Sequence, residues 1–77
     1  MHPLAEAVAE RRRHERPGAA VRAILEAAGV TETDVARALN VAPVTVSRWL
    51  AGKRRPRGEL ARAYADLVDD LERAVSS

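Results

Sequence analysis

Apolar residues recur at helical spacing through most of the chain, and breaks in that spacing divide it into segments. Pro3 suits the first turn of a helix, and Leu4, Ala5 and Val8 form a weak apolar stripe behind it, ended by Pro17-Gly18. Val21, Ile24, Leu25 and Ala28 then sit at offsets of 0, 3, 4 and 7, a full core-facing helical stripe, and Gly29 supplies a left-handed stop. In "TETDVARALN", Thr31 and Asp34 have the spacing of a capping box, in which hydroxyl and acid each satisfy a free helix N–H. Val35, Ala36 and Leu39 face inward from that helix. Asn40 can end it, because asparagine tolerates left-handed backbone better than most residues.

A turn from about Asn40 to Ala42 leads to a further helix with Pro43 at its first position. Val46, Trp49 and Leu50 share one face of that helix; Pro43, Val44, Ser47, Arg48 and Ala51 share the other, and Gly52 closes it. "KRRPRG" is a basic loop. From Pro56 or Arg57 a long helix is expected to run to Val75, with Leu60, Tyr64, Leu67, Leu71 and Val75 at three- and four-residue spacing and Ser76 and Ser77 fraying beyond it. No segment alternates with period two, so the pattern predicts an all-α, compact bundle of four to five helices. At 77 residues it is one domain with a small core. The expected division is an N-terminal helical extension (1–17), a core (19–67) and the end of the last helix (68–77).

Composition agrees with the pattern. There are 16 alanines and only two aromatic residues, Trp49 and Tyr64, which favours helix. Without cysteine, neither disulfides nor thiolate metal sites are available. His2 and His14 lie apart from paired carboxylates, so no metal and no cofactor are expected. No nucleophile–base–acid set or phosphate-cradling glycine loop is present, which argues against an enzyme. No apolar run is long enough to span a membrane, and "MHPLAEAVAE" lacks the basic leader and apolar block of a signal peptide. The expected location is therefore cytoplasmic.

Charge changes the picture more than composition does. Residues 48–57 hold five cations and no acid, whereas residues 59–73 hold five acids and two arginines. The chain thus has a basic face and an acidic end. The preferred reading of Arg11, Arg12, Arg13 and Arg16 is a solvated or packed helix, because Glu10 and Glu15 interleave with them; an arm lying along DNA is the alternative.

Two short helices joined by a three-residue turn let the second project from a compact support into a DNA major groove, which admits one α-helix. The residue types fit. Ala36 allows a close helix crossing, Asn40 makes the turn, and Val46, Trp49 and Leu50 anchor the second helix from behind. Trp49 therefore belongs to the core although the surrounding stretch is strongly cationic.

The run "TETDVARALNVAPVTVSRWLAGKRRP", residues 31–56, resembles the Cro/phage-repressor type (Xre-type) helix-turn-helix family. The matching positions are Thr31, Ala36, Leu39, Val41, Thr45, Val46, Ser47, Arg48, Trp49, Gly52, Lys53 and Pro56, and with flanking helices the likeness spans about 19–67. The resemblance implies a λ-repressor-like fold, a recognition helix at about 43–51, and a sequence-specific regulator of transcription that binds double-stranded DNA in a bacterium or phage. It implies base contacts from Val44, Ser47 and Arg48, with Pro43 at the edge, and phosphate contacts from Thr31, Thr45, Lys53, Arg54, Arg55 and Arg57. Arginine can pair with guanine through two hydrogen bonds, serine can bond several base edges, and valine can pack on a thymine methyl.

Three residues depart from the family pattern. Glu32 replaces a glutamine that contacts a phosphate, Ala42 replaces a capping serine or threonine, and Asn40 replaces a turn glycine. The Glu32 contact is not carried over, because an acid there would be repelled by phosphate.

The chain is short enough to act as a repressor by occupying an operator. A homodimer is expected, through Leu67, Leu71 and Val75, because positions 60, 64, 67, 71 and 74 of the last helix follow a heptad seam and one such motif reads few base pairs. The alternative is an antitoxin or accessory subunit that binds a protein partner through its terminal helices. An RNA reader is disfavoured, since both aromatics look buried. Nothing in the sequence suggests a small-molecule ligand.

Overall fold

A computed structural model describes residues 16–77, which form four helices. They are α1 (Gly18–Ala28), α2 (Glu32–Leu39), α3 (Pro43–Leu50) and α4 (Gly58–Ser76). The expected N-terminal helix, with Leu4, Val8 and Arg11 to Arg13, lies outside the described residues. No helix among the described residues is long and apolar enough to cross a membrane.

The apolar stripes of the first three helices meet where the spacing placed them, while in the last helix the fully buried residue is Val68, beside the expected stripe and not on it. Val21 and Leu25 of α1, Val35 and Ala36 of α2, Val46, Trp49 and Leu50 of α3, and Val68 of α4 form one buried cluster. Ile24, Val30, Leu39, Val41, Leu60, Tyr64, Leu67 and Leu71 pack around it half-buried. α1 lies against α4, and α2 against α3. Trp49 and Tyr64 join α3 to α4 with ring centroids 4.9 Å apart and planes tilted by 56°, within the range of favourable aromatic pairs. Burial raises the Tyr64 hydroxyl pKa.

The first three helices end alike. After each, the first two amides reach back to helix carbonyls, and a left-handed residue follows: Gly29 and Asn40 directly after α1 and α2, and Gly52 one residue later, beyond the right-handed Ala51, after α3. At Asn40 (φ 57°, ψ 47°) the amides of Asn40 and Val41 donate to Arg37 and Ala36. A residue with a Cβ normally avoids this conformation, and asparagine is among the few that accept it.

The capping box at α2 is complete. The Asp34 amide donates to the Thr31 hydroxyl oxygen at 3.0 Å, and the Thr31 amide donates to the Asp34 carboxylate at 3.0 Å. The Thr31 amide, then its hydroxyl, holds the Asp34 carboxyl below its ordinary pKa. A group whose pKa is lower in the folded chain stabilises the fold above its unfolded value, and that contribution is lost as pH falls through the folded value. Thr31→Ala is therefore expected to cost about 1 kcal/mol, the usual cost of losing a cap. Asp34→Asn should flatten the acid side of the stability–pH profile. Urea denaturation between neutral and acid pH measures both, and an unchanged acid limb in Asp34→Asn would contradict the assignment.

Three boundaries differ from expectation. α1 starts at Gly18, which had read as a breaker. α4 starts at Gly58, and Pro56 and Arg57 stay in the loop. α4 also runs through Ser76, where the Ser77 hydroxyl donates to the Arg73 carbonyl at 2.7 Å and closes the last turn.

Candidate nucleic-acid interface

α3 has two unlike faces. Its inward side is sealed: Val46 is 0% exposed and Trp49 8%. Its outward side presents Pro43, Val44, Arg48 and, just past the helix, Ala51, all exposed. Val44 is 52% exposed, the largest exposure of any bulky apolar side chain described, and it stands in the first turn of the helix. Pro43 occupies the first helical turn, and no side chain caps the helix, as Ala42 requires.

Beyond α3 the chain turns at Gly52 (φ 75°). The amides of Gly52 and Lys53 return to the carbonyls of Trp49 and Arg48. This closure starts the basic loop directly beside the exposed end of the helix. Lys53, Arg54, Arg55 and Arg57 are all exposed. Among the described residues, neither these four nor Arg48 takes part in an ion pair. Their charge is not consumed within the fold, so the end of α3 is strongly positive.

The contrast is Arg16. It lies 2.6 Å from the Asp69 carboxylate and 3.0 Å from that of Glu72, and both acids raise its pKa against the opposing effect of burial. For this arginine, packing is the observed role. Asp69 and Glu72 hold Arg16 on α4.

Ser47 is the site residue whose setting differs most from expectation. It lies on the outward side but is only partly exposed, and its hydroxyl donates to Glu32 Oε1 at 2.9 Å. This bond ties the middle of α3 to the first residue of α2. The other Glu32 oxygen faces Arg22 at 3.8 Å, a long, largely exposed pairing of small energetic weight. Thr31, next to Glu32, is exposed, and its hydroxyl oxygen is engaged in the cap. Thr45 is partly buried on the flank of α3.

The residues expected at a dimer seam separate into two groups. Leu67 and Leu71 pack half-buried against the core, while Val75, one turn further, is 42% exposed.

Sequence reasoning missed two features. One is Glu32 as the partner of Ser47, which follows only from how α2 and α3 cross. The other is Gly18, whose position lies against the carbonyl end of α3: a Cβ there would overlap the Leu50 carbonyl oxygen and lie 2.7 Å from its carbon.

A family model described as helix-turn-helix matches residues 21–69, well over half of the chain. The match covers the four helices from within α1 to within α4. No curated protein and no solved structure matches the chain.

Proposed function

The chain belongs to the Cro/phage-repressor type (Xre-type) helix-turn-helix family, which consists of DNA-binding regulators, and from that premise we propose that it recognises a specific duplex site with α3 and represses transcription by occupying it. The observation that carries this reading is the division of α3. Its back is sealed into the core, and its front is open beside five cations that have no acidic partner among the described residues. Arg48 and Val44 meet base edges in the major groove, a guanine edge and a thymine methyl being their natural partners. Lys53, Arg54, Arg55 and Arg57 hold phosphates on one side of the helix, and Thr31 and Thr45 contribute hydroxyls on the other.

Two copies would bind one site. A single recognition helix of eight residues reads few base pairs, and two-fold pairing about one helical turn apart extends the site. Val75, with Leu67 and Leu71 beneath it, is the surface proposed for this pairing.

Selection of random duplex DNA by the purified protein tests the reading. The expected result is an inverted repeat with half-sites about one helical turn apart. Binding should also weaken with salt. If about four phosphates are neutralised per subunit, log K against log salt has a slope of about −3.6 per subunit. No enrichment at low salt, from protein shown to be folded, would overturn the reading and favour an accessory subunit that binds another protein.

A further inference from the structure

We propose that Glu32 sets the base preference of the recognition helix: by accepting the only proton of the Ser47 hydroxyl, it leaves Ser47 able to accept hydrogen bonds but not to donate them. The inference rests on the DNA-reading role proposed above and adds a residue to it that lies outside the recognition helix.

A serine hydroxyl has one proton and two lone pairs, and a free one turns to suit whatever it meets. It therefore bonds donors and acceptors alike and discriminates little. Ser47 is not free. Its oxygen is 2.9 Å from Glu32 Oε1, and a carboxylate has no proton to give. The direction of the bond is thus dictated by chemistry: Ser47 donates and Glu32 accepts. Only lone pairs of Ser47 then remain for the groove.

In the major groove the hydrogen-bond donors are the amino groups, N6 of adenine and N4 of cytosine, while O6 of guanine and O4 of thymine accept. Ser47 lies three residues after Val44 and directly before Arg48, on the side of α3 assigned to bases. Held as an acceptor, it selects an amino base at the edge it faces and rejects a keto base.

Glu32 is well placed to hold it. The residue is the first of α2, where a carboxylate is favoured by the helix dipole, and its second oxygen is turned toward Arg22. The arrangement also has a cost. A carboxylate on the DNA-facing side repels phosphates, so Glu32 lowers affinity for any duplex while sharpening the choice among duplexes. Glutamine at this position would reverse both effects. Its amide can donate to the Ser47 oxygen, freeing the serine proton for a keto base, and its neutrality removes the repulsion.

The test is duplex selection with the full chain as wild type, Glu32→Gln and Ser47→Ala, each checked for a cooperative thermal transition. Ser47→Ala should flatten the preference at one position in each half-site, which identifies the base pair that Ser47 faces. There the wild type should prefer adenine or cytosine by about three- to tenfold, the ratio that one neutral hydrogen bond supports. Glu32→Gln should level that ratio, leave the other positions unchanged, and bind unrelated duplex at least as tightly as the wild type. That last readout separates a lost preference from a lost fold. Any of four results overturns the proposal: a keto preference at the serine position in the wild type, an unchanged ratio in Glu32→Gln, loss of all DNA binding by folded Glu32→Gln, or no position altered by Ser47→Ala. A wild type that enriches no site removes the DNA-reading role itself, a different result from any of these four.

Discussion

Replacing Trp49 with alanine is expected to remove about 3–5 kcal/mol of folding stability, the usual cost of deleting a large aromatic from a core. The site gives reasons for the upper half of that range. Trp49 is 8% exposed and packs its ring, tilted, against Tyr64 across the contact between α3 and α4. The ring is also the largest side chain in the buried cluster, whose other members are alanine, valines and leucines. Those branched neighbours are constrained by their own helices, so little of the vacated space can be refilled. Single domains have net stabilities of about 5–15 kcal/mol, and one with so small a core belongs near the lower end. The substitution should therefore leave a chain largely unfolded at 37 °C. Circular dichroism through a urea titration measures the effect, since the variant has no tryptophan to report by fluorescence. Trp49→Phe should retain much of the stability, because a ring still meets Tyr64. A loss below about 0.5 kcal/mol in Trp49→Ala would contradict its place in the core, since surface substitutions usually stay within that size.

That Trp49 faces inward was legible in the sequence, and the reason is periodicity. A helix repeats every 3.6 residues, so Val46, Trp49 and Leu50 must share a face whatever surrounds them. The flanking cations say nothing about that face. The same logic placed Val21 and Leu25, Val35 and Ala36, all of which are buried. The Thr31–Asp34 cap and the turn at Asn40 were equally legible, because each depends on residues close in sequence.

What was not legible depends on how helices cross. Glu32 and Ser47 are 15 residues apart, and no local rule pairs them. Arg16 and Glu72 are 56 apart. The arginines before Pro17 read as one charged group, yet Arg16 at the end of that group is gripped by the last helix. Leu67 and Leu71 show a related limit. A heptad seam looks the same in sequence whether it covers the chain's own core or a partner's, and here both side chains pack on the core.

Gly18→Ala is the second large effect expected, and it runs against helix propensity. Gly18 opens α1, and alanine at a helical site normally stabilises by about 0.4–1 kcal/mol. Unlike Gly29 and Gly52, Gly18 does not have a positive φ, so backbone freedom is not why glycine stands there. Space is the reason. An added Cβ would overlap the Leu50 carbonyl oxygen and sit 2.7 Å from the carbonyl carbon and 3.1 Å from the Cα. All three atoms are backbone, at the end of α3, so no side-chain rotation relieves the overlap. The start of α1 and the end of α3 must separate. Overpacking of this kind costs about 1–3 kcal/mol, and sometimes more, which exceeds the propensity gain. The displaced element is the end of α3 that carries Arg48 and leads into the basic loop, so the loss is not confined to stability. At temperatures where the variant is still folded, its affinity for the selected site should fall, because Arg48 and Lys53, the contacts proposed above, would no longer share one register on the duplex. Urea denaturation gives the stability, and titration of the selected duplex at low temperature gives the affinity. A stabilised Gly18→Ala chain would mean that α1 and α3 do not approach this closely. A destabilised chain with unchanged affinity would mean that α1 yields and α3 keeps its position. Loss of both would identify Gly18 as the residue through which the first helix holds the recognition helix in place.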